Sequence, residues 1–426
     1  MESFRSEDEY LGILEARSAL PEGFRCAVSQ LTFRPRERES GQPLPMNLAL
    51  IMLDRPTADF AAVFTRNRFP GAPVVIGRSR LSQPLIRGIL ANNKVSNVCT
   101  PRGVPDAERL LGRLGALTGT PAEQLLCAST GIIGWGLPVA EMEHSLPALV
   151  GALSAGSILP VARAIMTTDA FPKVRSRPVG RGRIVGVAKG AGMIEPNMAT
   201  LLCFLCTDVA VPRERLREDL SWCVEQSLNR LSVDGDQSTS DTAILLSSGA
   251  RGSVEPDEFR AALHDVLSGL AFDIVRNAEG IGHAMRVQVD RARTEAVALG
   301  VARAVANSPL VKTAVFGNDP NVGRIVSAVG DYIGNAGESI RTERMRVRLG
   351  NEEIFSDGCF QLDAGKEERL SAYLRSRAFP SPRTRWPAHD LTVDIQIILD
   401  GAAPAVEVLG SDLSYDYVRE NADYRS

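Results

Sequence analysis

The sequence predicts a mixed α/β fold, and three patterns in different parts of the chain support this class. Apolar residues three or four positions apart predict amphipathic helices in several segments. A continuous apolar run of strand length near the middle predicts a strand that is buried on both faces. Apolar and charged residues alternate in parts of the last third, which predicts half-buried strands there. Because helical and strand patterns interleave along the chain, a purely helical or purely β class does not fit.

Three segments carry the helical pattern. The first follows Pro105-Asp106, and four leucines there fall on one face: Leu110, Leu111, Leu114 and Leu117. Residues 212–231 and 256–275 predict two further helices, each with an apolar stripe. Between the first two helices, residues 125–129 predict a short buried strand that ends in the turn Thr130-Gly131-Ile132-Ile133-Gly134.

The central strand follows a glycine-rich loop. Residues 186–200 contain three glycines and one proline, and the apolar stretch from Leu201 to Val211 follows directly. Thr200 therefore lies where the loop meets the buried strand, so that the core holds it while the loop leaves it accessible. Later in the chain, alternation around Val347 and around Ile395 predicts two half-buried strands and makes the C-terminal part strand-rich.

Length and charge limit the possible classes. The chain has 426 residues, which suffices for two ordinary domains or one large domain. The formal net charge is −3, so the basic surplus of a nucleic-acid-binding protein is missing. The first nine residues are acidic and lack an apolar core, so we expect no signal peptide. Seven cysteines, an odd number, fit a reducing compartment, and we expect a cytoplasmic protein without a membrane role.

Several common catalytic and metal-binding motifs are missing from the sequence. It has four histidines, and it contains no G-x-S-x-G, H-E-x-x-H or P-loop motif. Cys203 and Cys206 form a C-x-x-C pair, but residues three apart on a strand point to opposite faces. We therefore interpret both as buried apolar side chains and expect no metal site.

Hydroxyl side chains remain as candidate nucleophiles. They occur in loops of small residues at Ser129-Thr130, Thr167-Thr168, Thr200 and Ser238-Thr239-Ser240. A threonine at a new N-terminus can use its own α-amino group as the base. That amine has a reference pKa of about 7.7–8.0, so it can accept a proton near neutral pH. Cleavage of the Ala199–Thr200 bond would create such a threonine.

Sequence blocks along nearly the whole chain resemble the signature segments of the ornithine acetyltransferase family. In chain order they are VFTRNRFPGAPV at 63–74, CASTGIIG at 127–134, MTTDAFPK at 166–173, AKGAGMIEPNMATLL at 188–202, VDGDQSTSDTA at 233–243, NSPLVKTA at 307–314, GNDPN-x-GRI at 317–325 and DLSYDYVRENADYRS at 412–426. The resemblance implies the layered mixed α/β fold of this family of self-processing acyltransferases.

The resemblance also implies how the chain is processed. Thr200 would be the nucleophile, residues 1–199 would become an α chain, and residues 200–426 would become a β chain that begins with Thr200. Two α and two β chains would form a heterotetramer. Thr130 and Gly131 match the family's pair of oxyanion donors, and a hydroxyl and a backbone N–H in a tight turn suit that task.

The family's substrate contacts fall on seven residues: Thr167, Thr168, Lys189, Thr200, Glu279, Asn421 and Ser426. Lys189 would meet an α-carboxylate, and Glu279 would meet the side-chain ammonium of ornithine. The implied activity is glutamate N-acetylation by ping-pong transfer of an acetyl group from N2-acetyl-L-ornithine to L-glutamate, as part of arginine biosynthesis. We expect no cofactor, although acetyl-CoA is a possible second acetyl donor.

The chain departs from the family pattern at several positions. Where the family usually has Asn-Ser-Gly-Asn-Ala-Asn-Ala-Cys, this chain has residues 92–99, with Lys94 in place of the glycine. Val322 replaces a usual tryptophan, His283 follows Glu279 where a lysine is usual, and Ser426 replaces a usual terminal threonine. These changes leave two enzymatic alternatives open: a related self-processing amidase or aminopeptidase, and an acetyltransferase of a secondary pathway. A non-enzymatic scaffold protein with the same fold is a third alternative.

Overall fold

The structure is a computed structural model, and it describes residues 3–38, 41–195, 201–381 and 383–423. The helices, in chain order, are α1 (Glu7–Arg17), α2 (Ala72–Arg80), α3 (Gly103–Thr118), α4 (Val139–Gly151), α5 (Leu159–Ala164), α6 (Arg213–Gln226), α7 (Pro256–Val275), α8 (Glu295–Asn307), α9 (Pro309–Phe316), α10 (Val322–Asn335), α11 (Ala364–Arg375) and α12 (Tyr415–Ala422). The strands are β1 (Phe24–Phe33), β2 (Leu44–Thr57), β3 (Phe60–Phe64), β4 (Ile86–Asn92), β5 (Leu125–Ser129), β6 (Lys173–Val179), β7 (Gly182–Lys189), β8 (Leu202–Thr207), β9 (Leu231–Ser232), β10 (Thr242–Ser247), β11 (Ala284–Asp290), β12 (Arg346–Leu349), β13 (Glu352–Ser356), β14 (Cys359–Phe360), β15 (Val393–Ile398) and β16 (Val406–Ser411).

The chain forms two compact units. The N-terminal unit comprises Asp8–Asn229 and Asp236–Ile274, and the C-terminal unit comprises Met1–Glu7, Arg230–Gly235 and Val275–Ser426. The predicted α and β chains divide the sequence differently, because each of them includes residues of both units.

The N-terminal unit contains two sheets. A four-stranded sheet has the order β1-β2-β4-β5, and its core packs against residues of α3 and α4 such as Leu111 and Leu146. A five-stranded sheet has the order β3-β10-β8-β7-β6. Its central strands β8 and β10 run parallel, with Thr242 opposite Leu202, and every residue of both strands is buried. Strands that are buried on both faces read as continuous apolar runs, which explains the pattern in the sequence.

The C-terminal unit is built around one seven-stranded sheet. Its strand order is β14-β13-β12-β15-β11-β16-β9, and only the pairs β11–β15 and β16–β9 are parallel. Helix α8 packs on β11 and β16, and its buried face is lined with alanine and valine from Val297 to Ala306. Small side chains let a helix approach a sheet closely, and they build much of the core of this unit.

The predicted mixed α/β class is confirmed, and most predicted elements lie where the periodicity placed them. Two predicted boundaries are wrong. The helix predicted over 212–231 ends at Gln226, because the chain then forms a short 3₁₀ turn and Leu231 pairs with Leu409 of β16. The apolar strand ends at Thr207 rather than Val211, because the Thr207 hydroxyl accepts a hydrogen bond from the Val209 N–H and turns the chain.

Candidate active site

The turn that was predicted to stabilise an oxyanion follows strand β5 and rests on the turn that follows β4. The Thr130 N–H donates to the Asn92 carbonyl at 3.1 Å, and the Ile132 N–H donates to the Lys94 carbonyl at 3.0 Å. The Ser129 hydroxyl donates to the Asn92 side-chain oxygen at 2.6 Å. These bonds fix the backbone on both sides of Gly131, so the turn is held rigidly before any substrate arrives.

Gly131 itself has a backbone conformation that requires glycine. Its φ angle is +129°, and a Cβ added there would collide with the backbone of Lys94. Two structural reasons therefore exclude a side chain at this position: the dihedral angle and the lack of space.

Lys94 is one of the departures from the family pattern, and its backbone conformation shows why glycine is usual there. Its φ angle is +70°, in the left-handed region that favours glycine, and the family usually has glycine here. A lysine in this conformation costs roughly 1 kcal/mol. The backbone turn that supports Thr130 and Gly131 is therefore retained in spite of the substitution.

Lys189 lies at the end of β7 and is buried, with 9% of its surface exposed. Its ammonium donates to the Thr130 hydroxyl at 3.3 Å. A surface lysine is the ordinary expectation for a single charge in a loop, and this burial contradicts it. The structure thus brings Lys189 beside the Thr130-Gly131 turn, although Lys189 lies 58 positions after Gly131 in the sequence.

Asp169 connects the Thr167-Thr168 loop to Lys189. One oxygen accepts from the Gly190 N–H at 2.8 Å and from the Lys173 ammonium at 2.5 Å, and the other accepts from the Thr167 N–H at 3.0 Å. Burial acts to raise the pKa of Asp169, but the charges of Lys173 and Lys189 prevail and hold that pKa well below its usual range. Asp169 is therefore a carboxylate that fixes the predicted substrate loop against the end of β7.

Four residues of this site were missed by the sequence reasoning: Asn92, Asn93, Asp169 and Lys173. Asn93 donates to the Met166 carbonyl at 3.0 Å and so reaches the residue before Thr167. A signal was available for Asp169 and Lys173, because both lie in the MTTDAFPK block as an acid and a base four residues apart. Nothing in the sequence shows that this pair is fully buried.

Thr167 and Thr168 are half-buried and lie in the loop between α5 and β6. Ala199, Thr200 and Ser426 lie outside the described residues, so their predicted roles remain predictions. The first described residue after Thr200 is Leu201, whose carbonyl accepts from the Thr242 N–H at 2.9 Å. Leu201 is thereby bound to the start of β10.

In the C-terminal unit, Glu279 and Asn421 are brought together, although 142 positions separate them. The Asn421 amide donates to Glu279 Oε2 at 2.8 Å, and Glu279 is only 7% exposed. A loose tail is therefore excluded for Asn421, which lies on the docked helix α12. A buried carboxylate with an amide on one oxygen can accept a further cationic donor, such as a substrate ammonium.

Helix α12 is anchored by its N-cap and by two of its side chains, while none of its residues is fully buried. Ser414 caps it by accepting the Tyr417 N–H at 3.0 Å, and the Ser414 hydroxyl also bonds to the Gly280 carbonyl. The Tyr417 hydroxyl donates to Asp234 at 3.2 Å. Gly280 has a φ angle of +58°, and a Cβ there would collide with the Tyr417 nitrogen, so helix and turn are in direct contact.

Two other departures from the family pattern, His283 and Val322, are buried in the C-terminal unit. His283 is 2% exposed, and its ring nitrogens lie 2.8 Å from Asp412 Oδ2 and 3.2 Å from the Leu374 carbonyl. Val322 is 1% exposed and begins helix α10. Neither residue is a partner of Glu279 or Asn421 in the hydrogen bonds that fix that site.

The described residues contain neither a metal-binding cluster nor a membrane-spanning helix. In residues 3–38, 41–195, 201–381 and 383–423, no three His, Cys, Asp or Glu side chains are grouped so that they could hold a metal ion. Within the same ranges, the helices are all too short or too polar to cross a membrane. Cys203 and Cys206 are completely buried, as the sequence predicted, and burial raises the pKa of the Cys203 thiol to about 12.

Comparisons with known proteins show the family of this chain. The model of the ArgJ family matches residues 39–426. The chain belongs to the ArgJ family. An arginine biosynthesis bifunctional protein ArgJ from Nitratidesulfovibrio vulgaris is 42% identical over 419 residues, which cover 96% of this chain and 100% of the relative.

Two further proteins are similar to this chain over most of its length. The arginine biosynthesis bifunctional protein ArgJ of Geobacter sulfurreducens is 40% identical over 413 residues, covering 94% of this chain and 100% of its own length. A glutamate N-acetyltransferase, Oat2, of Streptomyces clavuligerus is 36% identical over 371 residues, covering 86% of this chain and 90% of its own. The resemblance predicted from the sequence blocks is thus confirmed for this ArgJ-family chain.

Proposed function

We propose that this ArgJ-family chain is a glutamate N-acetyltransferase of arginine biosynthesis. It transfers the acetyl group of N2-acetyl-L-ornithine to L-glutamate through an acetyl ester on Thr200. The observation that carries the proposal is the 3.3 Å contact between the Lys189 ammonium and the Thr130 hydroxyl beside Gly131. A buried cation, a hydroxyl and a rigid glycine turn suit a reaction that passes through an oxyanion.

The first step is self-cleavage. The Thr200 oxygen attacks the Ala199 carbonyl carbon, the bond from that carbon to the Thr200 nitrogen breaks, and the hydroxyl proton moves to the nitrogen. Water then hydrolyses the resulting ester and releases a carboxylic acid at Ala199. The products are an α chain, residues 1–199, and a β chain whose first residue is Thr200. Two copies of each chain form the proposed heterotetramer.

In the second step, the same Thr200 oxygen attacks the substrate. The free α-amine of Thr200 takes the hydroxyl proton, and the oxygen attacks the acetyl carbonyl of acetylornithine. Thr130 and Gly131 stabilise the oxyanion, and ornithine leaves with a proton on its nitrogen. The glutamate amine then attacks the acetyl ester, takes the acetyl group and returns the proton to Thr200.

Substrate recognition divides between two sets of residues in this proposal. Lys189, with the Thr167-Thr168 loop that Asp169 holds beside it, binds the α-carboxylate that both substrates share. Glu279, with Asn421 on one oxygen, binds the ornithine ammonium. Ser426 and Thr200 complete the proposed set. Buried charges are retained in proteins where they are paired or where a ligand pairs with them, which favours this use of Glu279.

The proposal includes three properties of the whole protein. No cofactor is required, because the acetyl group travels on a threonine oxygen; acetyl-CoA is proposed as an alternative acetyl donor. The enzyme works in the cytoplasm, and the seven unpaired cysteines support a reducing compartment. Its partners are its amino-acid substrates and its own α and β chains, without nucleic acid or membrane.

Steady-state kinetics test the proposed reaction. One site that is occupied in turn by acetylornithine and glutamate gives parallel double-reciprocal lines, and labelled ornithine exchanges into acetylornithine without glutamate. Intersecting lines without exchange would contradict the acetyl-threonine intermediate. Release of free acetate at the same rate with and without glutamate would favour the amidase or aminopeptidase alternative instead.

Replacing Thr130 by alanine should lower turnover and leave substrate affinity nearly unchanged. Oxyanion donors act on charge that exists only in the transition state. Loss of one such donor typically lowers kcat by roughly 10²–10³. Rates measured over a range of acetylornithine concentrations separate kcat from KM, and Thr130→Ser, which keeps the hydroxyl, is the control. A change confined to KM would show that Thr130 binds substrate only.

Replacing Asn421 by alanine, or ending the chain after Glu420, should raise KM for acetylornithine and leave self-cleavage intact. The change removes a hydrogen bond to the buried Glu279 carboxylate. Hydrogen bonds to charged groups contribute about 1.5–3 kcal/mol, so we expect KM to rise by roughly tenfold or more. Arg419→Ala is the matched control, because Arg419 lies on the same helix with a 71% exposed side chain and pairs with Asp416. An unchanged KM in the Asn421 variants would show that α12 plays no part in binding.

A further inference from the structure

Asp241 is a buried acid in the N-terminal unit that the proposed mechanism does not use. It lies immediately before β10, its residue surface is 1% exposed, and its Oδ2 atom has no hydrogen-bond partner within the part of the chain that the structure describes. Its backbone is fixed, because its carbonyl accepts from the Thr65 N–H at 3.0 Å. Buried polar atoms without a partner are rare in folded proteins and call for an explanation.

The carboxyl group of Asp241 contacts the chain just after the predicted nucleophile. The Leu201 N–H donates to this carboxyl, and the Leu201 carbonyl accepts from the Thr242 N–H at 2.9 Å. Both polar groups of Leu201 are therefore bound by two consecutive residues, Asp241 and Thr242. The Leu201 N–H belongs to the peptide unit whose carbonyl comes from Thr200, so a bond to it restricts how that peptide unit can rotate.

We propose that Asp241 is a positioning residue for self-cleavage: its buried carboxyl holds the peptide unit between Thr200 and Leu201 and thereby orients the nucleophile. This inference rests on the proposed function, because it requires cleavage before Thr200. It also assigns a role to the VDGDQSTSDTA block, for which the family resemblance implied no site residue.

The surroundings of Asp241 favour its neutral form. Burial raises the pKa of Asp241 well above its usual range, although Lys189 and the hydroxyls of Ser238 and Thr65 act in the opposite direction. These groups come from the end of β7, the loop before β10 and the residue after β3, and Lys189 is the charged group that acts on Asp241 among the described residues. In the neutral acid, the unpartnered Oδ2 can carry the proton while the other oxygen accepts from the Leu201 N–H.

The neutral form also protects the contact between Lys189 and Thr130. The Lys189 ammonium already lies in the field of the Asp169 carboxylate. An ionised Asp241 would add a second negative charge that competes for the same ammonium. Because the pKa is raised, the neutral acid persists to a higher pH than an ordinary aspartic acid does, and it is lost as the pH rises through that raised pKa. Self-cleavage that depends on it should weaken in the same direction.

Three variants of the full chain test the proposal. Asp241→Ala removes the acceptor, while Asp241→Asn keeps an acceptor and a donor without the ability to ionise. Asp208→Asn is the matched control, because Asp208 is also a buried acid of this unit, 4% exposed, but lies just after β8 at the opposite end from Leu201. The Asp208 carboxylate accepts from the N–H groups of Glu22 and Arg183, so its loss measures the general effect of removing a buried carboxylate.

The rate of conversion of freshly made precursor to the fragment that begins at Thr200 is followed by intact mass, from mildly acidic to mildly alkaline pH. We expect Asp241→Ala to cleave roughly tenfold to a hundredfold more slowly, as for other lost buried hydrogen bonds. Asp241→Asn and Asp208→Asn should cleave at close to the wild-type rate. The ratio of the wild-type rate to the Asp241→Asn rate should stay level or fall as the pH rises.

Three results would overturn the inference: cleavage of Asp241→Ala at the wild-type rate, equal slowing in Asp208→Asn, or a wild-type to Asp241→Asn ratio that rises with pH. If Asp241→Ala does not fold, as judged by circular dichroism, the Asp241→Asn rate and its pH profile decide alone. A wild-type chain that never cleaves and is inactive would contradict the proposed function itself. A wild-type chain that cleaves while Asp241→Ala does so equally well would contradict only the role of Asp241.

Discussion

Replacing Thr200 by alanine is expected to leave a single chain of 426 residues that has no acetyltransferase activity. Alanine lacks the oxygen that attacks Ala199, so the peptide bond stays intact. It also lacks the oxygen that carries the acetyl group, so transfer stops for a second, independent reason. Removing the nucleophile of an enzyme that works through a covalent intermediate can lower turnover by about 10⁶. Intact mass and an assay of acetylglutamate formation measure the two losses separately.

Thr200→Ser is the control for this experiment. Serine keeps the attacking oxygen, so it should cleave and transfer, although more slowly because the methyl group that restricts the rotamer is missing. Recovery of a full-length wild-type chain with full activity would rule out the N-terminal threonine mechanism. Activity of the uncleaved Thr200→Ala chain would do so as well.

Replacing Gly131 by alanine should reduce both self-cleavage and transfer by roughly 10²–10³, the typical effect of losing one oxyanion donor. The added Cβ would collide with the Lys94 backbone and would require an unfavourable φ of +129°. The turn must then move away from Lys94, and Thr130 moves with it. Both reactions pass through an oxyanion in the proposed mechanism, so both should slow in parallel.

Gly134 provides a matched control three residues later in the same turn. Its φ is also positive, at +88°, but a Cβ there meets nothing within 4 Å. Gly134→Ala therefore has the dihedral strain without the collision, and it should lose stability with little loss of catalytic rate. Thermal unfolding and the two rate assays on both variants separate these effects. Equal catalytic losses in both variants would show that strain in the turn, rather than the displacement of Thr130, is responsible.

Periodicity predicted the elements whose burial repeats regularly. Helices α3 and α7 and strand β5 lie within two residues of their predicted bounds, because their apolar spacing reflects the face that packs on the core. The two wrong boundaries lie where a tertiary contact, rather than the local apolar pattern, determines where the element ends. Leu231 fits a helical stripe, yet it pairs with Leu409 of β16, and no local signal shows the partner strand.

For the candidate site, too, the sequence predicted some features and only the structure showed the others. The sequence blocks were sufficient to name Thr130, Lys189, Glu279 and Asn421, since resemblance carries residue identity. Their burial and pairing could not be read from the sequence. Lys189 and Glu279 would ordinarily be solvated charges, and only the fold brings one against Thr130 and the other against Asn421.

The sequence by itself determined the α/β class, the family and the identity of the candidate nucleophile, because these depend on residue types and their order. The tertiary structure decided which charges are buried and what each one contacts. Asp169 and Asp241 illustrate the reason: both are aspartates in hydroxyl-containing blocks, and both are buried. The pKa of Asp169 is lowered because Lys173 bonds to it, whereas the pKa of Asp241 is raised because burial outweighs the more limited influence of Lys189. Charge state depends on neighbours that are distant in sequence, and only folding brings them together.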